Sequence, residues 1–280
     1  MKTMDDAEFQ AITSIAMAEA GLSLPPGKRS FVSARLQRRL RATGMESFRS
    51  YVALVSGADA TSVQERCELI SALTTNVTGF FREPHHFAAL ARQLEHGRKR
   101  TACDPIRIWS AGCSSGEEAL SIAATCAACL GAGWNDKARI LATDIDINVL
   151  GAAMRQPEDK EIARRLADGV AAVLPKGMMP AEHSVASLKT GITYMRHNLL
   201  DRLPTSQPFD AIFCRNVTIY FTPDVQARVH AHLDACLAGD GLLFLGHSER
   251  LAVALPHLRL AGATTYLKCG PAPEGDIRWH

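Results

Sequence analysis

Apolar positions recur at helical spacing through the first quarter of the chain and in short β-branched runs after it, and this change of period divides the sequence. Phe9, Ile12, Ile15 and Ala16 mark a first helix, with Asp5 and Glu8 spaced as a capping box at its start. Leu24, Pro25, Pro26 and Gly27 break the chain. A second helix follows from Lys28, with Val32, Leu36 and Leu40 as its apolar stripe. Phe48, Tyr51, Leu54 and Val55, then Cys67, Leu69, Ile70 and Leu73, predict further short helices. No strand pattern precedes residue 105.

Beyond that point Ile106–Ser110, Arg139–Thr143, Ile192–Arg196, Ala211–Cys214, Leu242–Leu245 and Thr264–Lys268 read as strands, separated by helical stretches. The alternation predicts a doubly wound, parallel α/β sheet with helices on both faces. One of those helices is bracketed over Pro223–Leu237 by Thr222 as N-cap, Pro223 at the first position and Gly239 past the end. The expected domains are a helical one over residues 1–80 and an α/β one over residues 81–280.

With 280 residues and 47% apolar content, the chain can bury a large core. Its net charge of +2 supplies no global attraction to nucleic acid or membrane, which leaves only local patches. One such patch is the basic flank of the second helix, formed by Lys28, Arg29, Arg35, Arg38, Arg39 and Arg41. By pattern alone it fits a solvated face, a dock for an acidic protein or a nucleic-acid contact. The cysteines lie mostly within apolar segments, Cys126 and Cys129 in an alanine-rich helix pattern, as expected of reduced thiols in a cytoplasmic protein. No signal-peptide or membrane-spanning pattern is present. His85, His86 and His247 lack acidic or thiol partners at ligand spacing, so no metal is expected.

In an open α/β sheet the ligand sits beyond the carboxyl end of the first strand. Here the chain runs from Ala111 through Gly112, Cys113, Ser114, Ser115 and Gly116 into a helix that opens with Glu117 and Glu118. Two carboxylates at the positive end of a helix compete with a pyrophosphate, and the dinucleotide spacing G-x-G-x-x-G is absent. A cofactor carrying a cation and an amine, such as S-adenosylmethionine, suits the turn better. Asp144 ends the next strand, where a carboxylate meets ribose hydroxyls. A glycine turn followed by an acid also fits an ordinary strand end.

Five segments sharpen the reading: Asn76–Arg82 (Asn-Val-Thr-Gly-Phe-Phe-Arg), Trp109–Glu118 with Ala142–Asp146, Asn198–Leu200, Phe209–Phe221, and Gly246, His247, Ser248 and Glu249. In this order, over about residues 22–268, they resemble the chemotaxis receptor methyltransferases, the CheR family. The resemblance implies a Rossmann-like class I methyltransferase sheet preceded by a small all-helical domain. It implies S-adenosylmethionine as cofactor, with S-adenosylhomocysteine as product. The implied cofactor contacts are Asn76, Thr78, Arg82, Gly112, Glu118, Asp144, Asn198, Leu199, Arg215 and Asn216, with Arg82, Arg215 and Tyr220 near the methionine end and the transferring methyl.

The planar fork of Arg82 can grip a carboxylate, and the Tyr220 ring can face a sulfonium cation. Phe80 and Phe81 fit a core more readily than a site. The implied reaction methylates glutamate side chains on the cytoplasmic helical part of a chemoreceptor, and the implied use of the basic helix is receptor docking rather than nucleic-acid binding. A non-catalytic, cofactor-sensing adaptor of the same fold is the alternative; intact Arg82, Asp144, Arg215 and Tyr220 favour the enzyme. The chain departs from the family between Arg155 and Thr190, where many relatives carry a small β insertion that in some binds a receptor pentapeptide tail. Here Glu158–Val173 reads as helix and Lys176–Thr190 as loop, so tail binding is not expected. Gly246–Glu249 lacks the nucleophile-elbow pattern of a hydrolase and is expected to support a strand end.

Overall fold

A computed structural model describes residues 3–96, 103–174, 183–205 and 207–270. The amino-terminal part is all helical: α1 (Asp6–Ala20), α2 (Arg29–Thr43), α3 (Phe48–Val55) and α4 (Ala60–Leu73). The capping box forms as its spacing requires. The Glu8 backbone N–H donates to Asp5 Oδ1 at 2.7 Å, and the Asp5 N–H donates to Glu8 Oε2 at 2.9 Å. Val32, Leu36 and Leu40, one turn apart on α2, are buried against Phe9, Ile12, Tyr51 and Leu69. These side chains give the domain its own core.

The second domain opens with α5 (Pro84–His96), for which the sequence reading named no element. The signal was present in Pro84 at the helix start and in Phe87, Leu90, Ala91 and Leu94 at helical spacing, all fully buried. There follow β1 (Ile106–Ala111), α6 (Glu117–Leu130), α7 (Trp134–Lys137), β2 (Ala138–Asp144), α8 (Ile147–Arg155), α9 (Lys160–Val173), α10 (Val185–Lys189) and β3 (Ile192–Arg196). The chain ends in β4 (Phe209–Cys214), α11 (Pro223–Cys236), β5 (Leu237–Leu245), β6 (Leu258–Gly262) and β7 (Thr265–Lys268). The sheet order is β3-β2-β1-β4-β5-β7-β6. Strands β1 to β5 run parallel, and β7 and β6 join as an antiparallel pair at one edge. One sheet face packs on α5, α6 and α9 through Phe87, Leu120, Leu166 and Phe213; the other covers Trp109, Ile212 and Leu243 with Val229 and Leu233 of α11.

Several expectations are corrected. The strand read at Thr264–Lys268 is β7 and runs antiparallel to β5, so the sheet is mixed and not wholly parallel. Strand β5 begins at Leu237, so α11 stops at Cys236 and Gly239 lies within the strand instead of ending the helix. Thr222 holds the N-cap position but makes no side-chain cap hydrogen bond; Pro223 is at the start as expected. Strand β6 escaped notice because only Leu258 of its five residues is buried, which leaves no apolar run. A further correction falls in the segment read as a loop over Lys176–Thr190. Residues 175–182 lie outside the described set, and the remainder holds α10, capped by Ser184 Oγ accepting from the Ser187 N–H at 3.1 Å. Among the described residues no strand occurs between Arg155 and Thr190, and α9 matches the expected helix.

Cys126 and Cys129 are buried free thiols in α6, as small packing residues. No helix among the described residues is long and apolar enough to cross a membrane.

Candidate functional site

A cavity of about 1340 Å³, counting its open mouth, lies between the helical domain and the carboxyl ends of β1, β2 and β4. Its glycine turn is shaped by close approach. Gly112 has φ +91°, and a Cβ there would sit 2.4 Å from Val217 Cγ2. The backbone N–H groups of Gly112 and Cys113 both donate to the Thr143 carbonyl, at 2.8 and 2.9 Å, which ties the ends of β1 and β2 together. Ser114, at φ +51°, turns its own N–H toward Asp144 Oδ2 at 2.8 Å and its hydroxyl toward the Asn76 carbonyl at 3.0 Å.

Two carboxylates border this turn. Glu118, on the first turn of α6, accepts from Ser110 Oγ at 2.7 Å and from Arg215 Nη1 at 3.0 Å. Burial pushes its carboxyl above the ordinary range, against the pull of the Arg215 guanidinium. Asp144 also accepts the Asp146 N–H at 2.9 Å, on its other oxygen. Burial raises Asp144 as well, opposed by the N–H groups of Asp146 and Ser114.

Asn76, Thr78, Arg82, Gly112, Glu118 and Asp144 line this one cavity. Asn198, Leu199, Arg215, Asn216 and Tyr220 complete the wall, so every residue expected near cofactor or methyl group comes to the same place. Their polar groups are not all free. Asn76 donates to Asp146 Oδ2 at 2.7 Å, and Asn198 Nδ2 donates to the Glu19 carbonyl at 2.8 Å. Arg82 Nη1 donates to the Val77 carbonyl at 3.0 Å. Arg215 is buried, donating to Glu118 and to the Arg82 carbonyl, with Glu83 Oε2 at 3.5 Å. Its fork binds together three segments of the site wall. Phe81 belongs to the core: its ring fills the space beside Gly169 of α9, where a Cβ would lie 2.0 Å from Phe81 Cδ2.

Positive φ values cluster here, at Phe81 and Glu83 on either side of Arg82, at Ser114, and at Asn216 beside Arg215. Such conformations persist only where surrounding contacts over-determine them.

The basic helix divides. Arg39 is locked inside the domain by a bidentate contact with Glu65, at 2.9 and 2.6 Å, and by Glu68 at 3.1 Å. Arg29 pairs with Asp6, and Arg35 Nη1 donates to the Ala72 and Thr74 carbonyls at 3.4 and 3.2 Å. Lys28 lines the cavity mouth, while Arg38 and Arg41 lie exposed on the outer face. Arg41 Nε also donates to the Gln37 carbonyl at 3.3 Å, so four of the six cations make contacts within the protein and the basic face is less continuous than its spacing suggests.

Sequence reasoning missed Asp146, Glu83 and His197, the last of which also lines the cavity. Asp146 accepts from Ser71 Oγ at 2.6 Å and from Asn76, fastening the helical domain to the end of β2. Its signal lay two residues after Asp144. Glu83, with His85 and His86, forms a cluster of ligand-type atoms within 4.8 Å of one another, which the spacing argument against metal did not foresee. The Glu83 carboxylate is already engaged by Arg215 and by His247 Nδ1 at 3.2 Å.

Two family models divide the chain at the same place as the fold: the CheR methyltransferase all-alpha domain matches residues 7–74, and the CheR methyltransferase SAM binding domain matches residues 76–267. The chemotaxis protein methyltransferase of Salmonella typhimurium is 38% identical, over 94% of this chain and 90% of that protein. Its Escherichia coli namesake is 37% identical, over 94% and 91%. Chemotaxis protein methyltransferase 2 of Pseudomonas aeruginosa is 36% identical, over 92% of each chain. With both domains matched in order and a glycine turn flanked by buried acids at the strand ends, this chain belongs to the CheR methyltransferase family.

Proposed function

We propose that the protein transfers the methyl group of S-adenosylmethionine to glutamate side chains of chemoreceptors, forming methyl esters. The observation that carries this reading is the pair of buried carboxylates, Glu118 and Asp144, on either side of the Gly112 turn in a cavity open to solvent. Such a site suits a ligand with ribose hydroxyls and a cationic end, and repels a pyrophosphate. Asp144 is the residue for the ribose, through whichever lone pairs the Ser114 and Asp146 N–H groups leave free. Arg82, Arg215 and Tyr220, all on the cavity wall, are the residues for the methyl-donating end. The cofactor supplies an electrophilic methyl on sulfonium.

The acceptor needs no dedicated base, because a glutamate of ordinary pKa, about 4.3, is ionised at neutral pH. The work of the chain is alignment and exclusion of water, which together supply a large part of such a rate. Arg38 and Arg41, exposed on α2, and Lys28 at the cavity mouth are the cations available to an acidic receptor bundle. The absence of strands among the described residues from Arg155 to Thr190 supports methylation that does not depend on a receptor tail.

Isothermal titration with S-adenosylhomocysteine, on wild type and Asp144→Ala, tests the cofactor site. The expected result is one-to-one binding that collapses in the variant; no binding by folded wild type overturns the reading. Transfer of labelled methyl to receptor cytoplasmic fragments, lost when the acceptor glutamates are changed to alanine, tests the acceptor. Binding without any transfer would leave a cofactor-sensing adaptor.

A further inference from the structure

The segment after β4 carries Arg215, Asn216, Val217 and Tyr220 into the cavity wall, yet it has almost no regular structure. It is a turn with Asn216 at φ +59°, followed by one turn of 3-10 helix over Thr218–Tyr220. Two side chains from elsewhere hold it: Gln226 of α11 donates its amide to the Thr218 and Phe221 carbonyls at 3.0 and 3.1 Å, and Glu249 takes its N–H groups. Glu249, only 3% exposed, follows β5 and turns back into the loop. Its Oε1 accepts the N–H groups of Val217, Thr218 and Ile219 at 3.0, 2.8 and 3.3 Å and the Thr218 hydroxyl at 2.7 Å. Its Oε2 accepts the N–H groups of Asn216 at 2.7 Å and Gly246 at 2.6 Å.

Four consecutive backbone donors converging on one carboxylate form an anion nest whose anion belongs to the protein itself. Gly246 makes the approach possible. A Cβ there would lie 2.7 Å from Glu249 Oε2 and 2.8 Å from the Asn216 nitrogen. These contacts end at the loop backbone, the Thr218 hydroxyl and Gly246, so the influence of the carboxylate on the cavity passes through Asn216 and Tyr220.

We propose that Glu249 is a positioning residue for methyl transfer: its carboxylate folds residues 216–220 into the shape that presents Asn216 and Tyr220 to the cofactor. The proposal rests on the methyl-transfer reading above. It predicts that charge and both oxygens matter, not volume. Glu249→Gln keeps the size but replaces one acceptor oxygen with an amide donor that faces backbone N–H groups.

The test compares wild type with Glu249→Gln, Glu249→Asp and Thr218→Val. S-adenosylhomocysteine affinity, kcat and KM for S-adenosylmethionine, Tm, and amide hydrogen exchange at residues 216–219 are measured. The Gln variant is expected to lose kcat/KM about tenfold or more, the scale of one charge-assisted hydrogen bond. Its Tm should stay within roughly 5 °C of wild type, and its loop amides should lose protection. Glu249→Asp, which keeps the charge, recovers part of the loss. Thr218→Val, which removes a single donor and is the arm that decides if Glu249→Gln does not fold, weakens kcat/KM about threefold.

Wild-type kinetics in the folded variants, or a lowered Tm with kinetics unchanged, overturns the proposal. Retained protection at residues 216–219 in Glu249→Gln, or in Thr218→Val if the Gln variant is unfolded, also overturns it, and this readout needs no cofactor. A wild type that binds no S-adenosylhomocysteine sinks the methyl-transfer reading instead.

Discussion

The Arg215 guanidinium donates to the Glu118 carboxylate at 3.0 Å, and both groups are buried beneath the cavity. The same guanidinium reaches the Arg82 carbonyl and stands near Glu83, so one cation fixes the end of β4, the start of α6 and the segment just before α5. Arg215→Ala would leave the buried Glu118 carboxylate without its cation and the partly buried Glu83 with only His247. The expected cost is about 3–5 kcal/mol of stability. Arg215→Lys should recover little of it, because a point charge cannot span three partners set around a planar fork. Urea denaturation of the three proteins measures both effects.

A second prediction concerns acid. Burial, then the nearby cations Arg215 and His85, push the His86 imidazole down to about 3, so it stays neutral in the folded protein. The unfolded chain protonates the same residue near 6.5. The unfolded state thus binds one more proton between those values, and stability falls as pH drops from about 6.5 toward 3, by up to about 1.4 kcal/mol per pH unit from this group. His86→Gln, which cannot titrate, should flatten that part of the profile when unfolding free energy is measured across pH 7 to 4.

Asp146 offers a third test. Its carboxylate accepts from Ser71, Asn76 and the Asn148 N–H, joining α4, the linker and α8. Asp146→Ala removes these charge-assisted bonds, each worth about 1.5–3 kcal/mol, and should both lower Tm and speed proteolysis within residues 71–78. Asn76→Ala removes only one and should do less. Equal cleavage rates in all three proteins would refute the fastening.

On the basic helix, charge reversal should separate docking from folding. Arg38→Glu and Arg41→Glu, at exposed positions, should slow receptor methylation several-fold at low salt and leave Tm and S-adenosylhomocysteine affinity unchanged. Arg39→Glu should instead unfold the helical domain more easily, since Arg39 holds Glu65, which also accepts from buried Tyr51 at 2.7 Å. Methylation rates at rising ionic strength provide the second measurement, because exposed charges are screened.

The division into two domains, the parallel strands and the glycine turn were legible in the sequence because period and breakers are local signals. Strand β6 was not, since an exposed edge strand needs no apolar face. Gly239 misled for a related reason: glycine marks a helix stop by habit, and here the helix passes into a strand without one. At the site, the residue set was legible and its wiring was not. Asn76 and Arg215 read as groups reaching for a ligand, and the contacts that occupy them come from Asp146, Glu118 and Glu83, 70 to 132 residues away in the chain and brought near only by folding. Gly169 shows the same limit from the opposite side. Nothing in an α9 pattern says that a phenylalanine ring from residue 81 will need the place of its side chain.

The cavity takes part of its wall from Leu22, Lys28 and Phe31 and the rest from the sheet, with residues 74–78 crossing between them. Those residues are also the covalent joint between two bodies that have separate cores. A ligand filling the space would touch both bodies at once and so add its own contacts to the tie that Asp146 makes between them. Whatever binds in the cavity is thus also a brace across the joint, and occupancy of the site should read out as protection of residues 74–78.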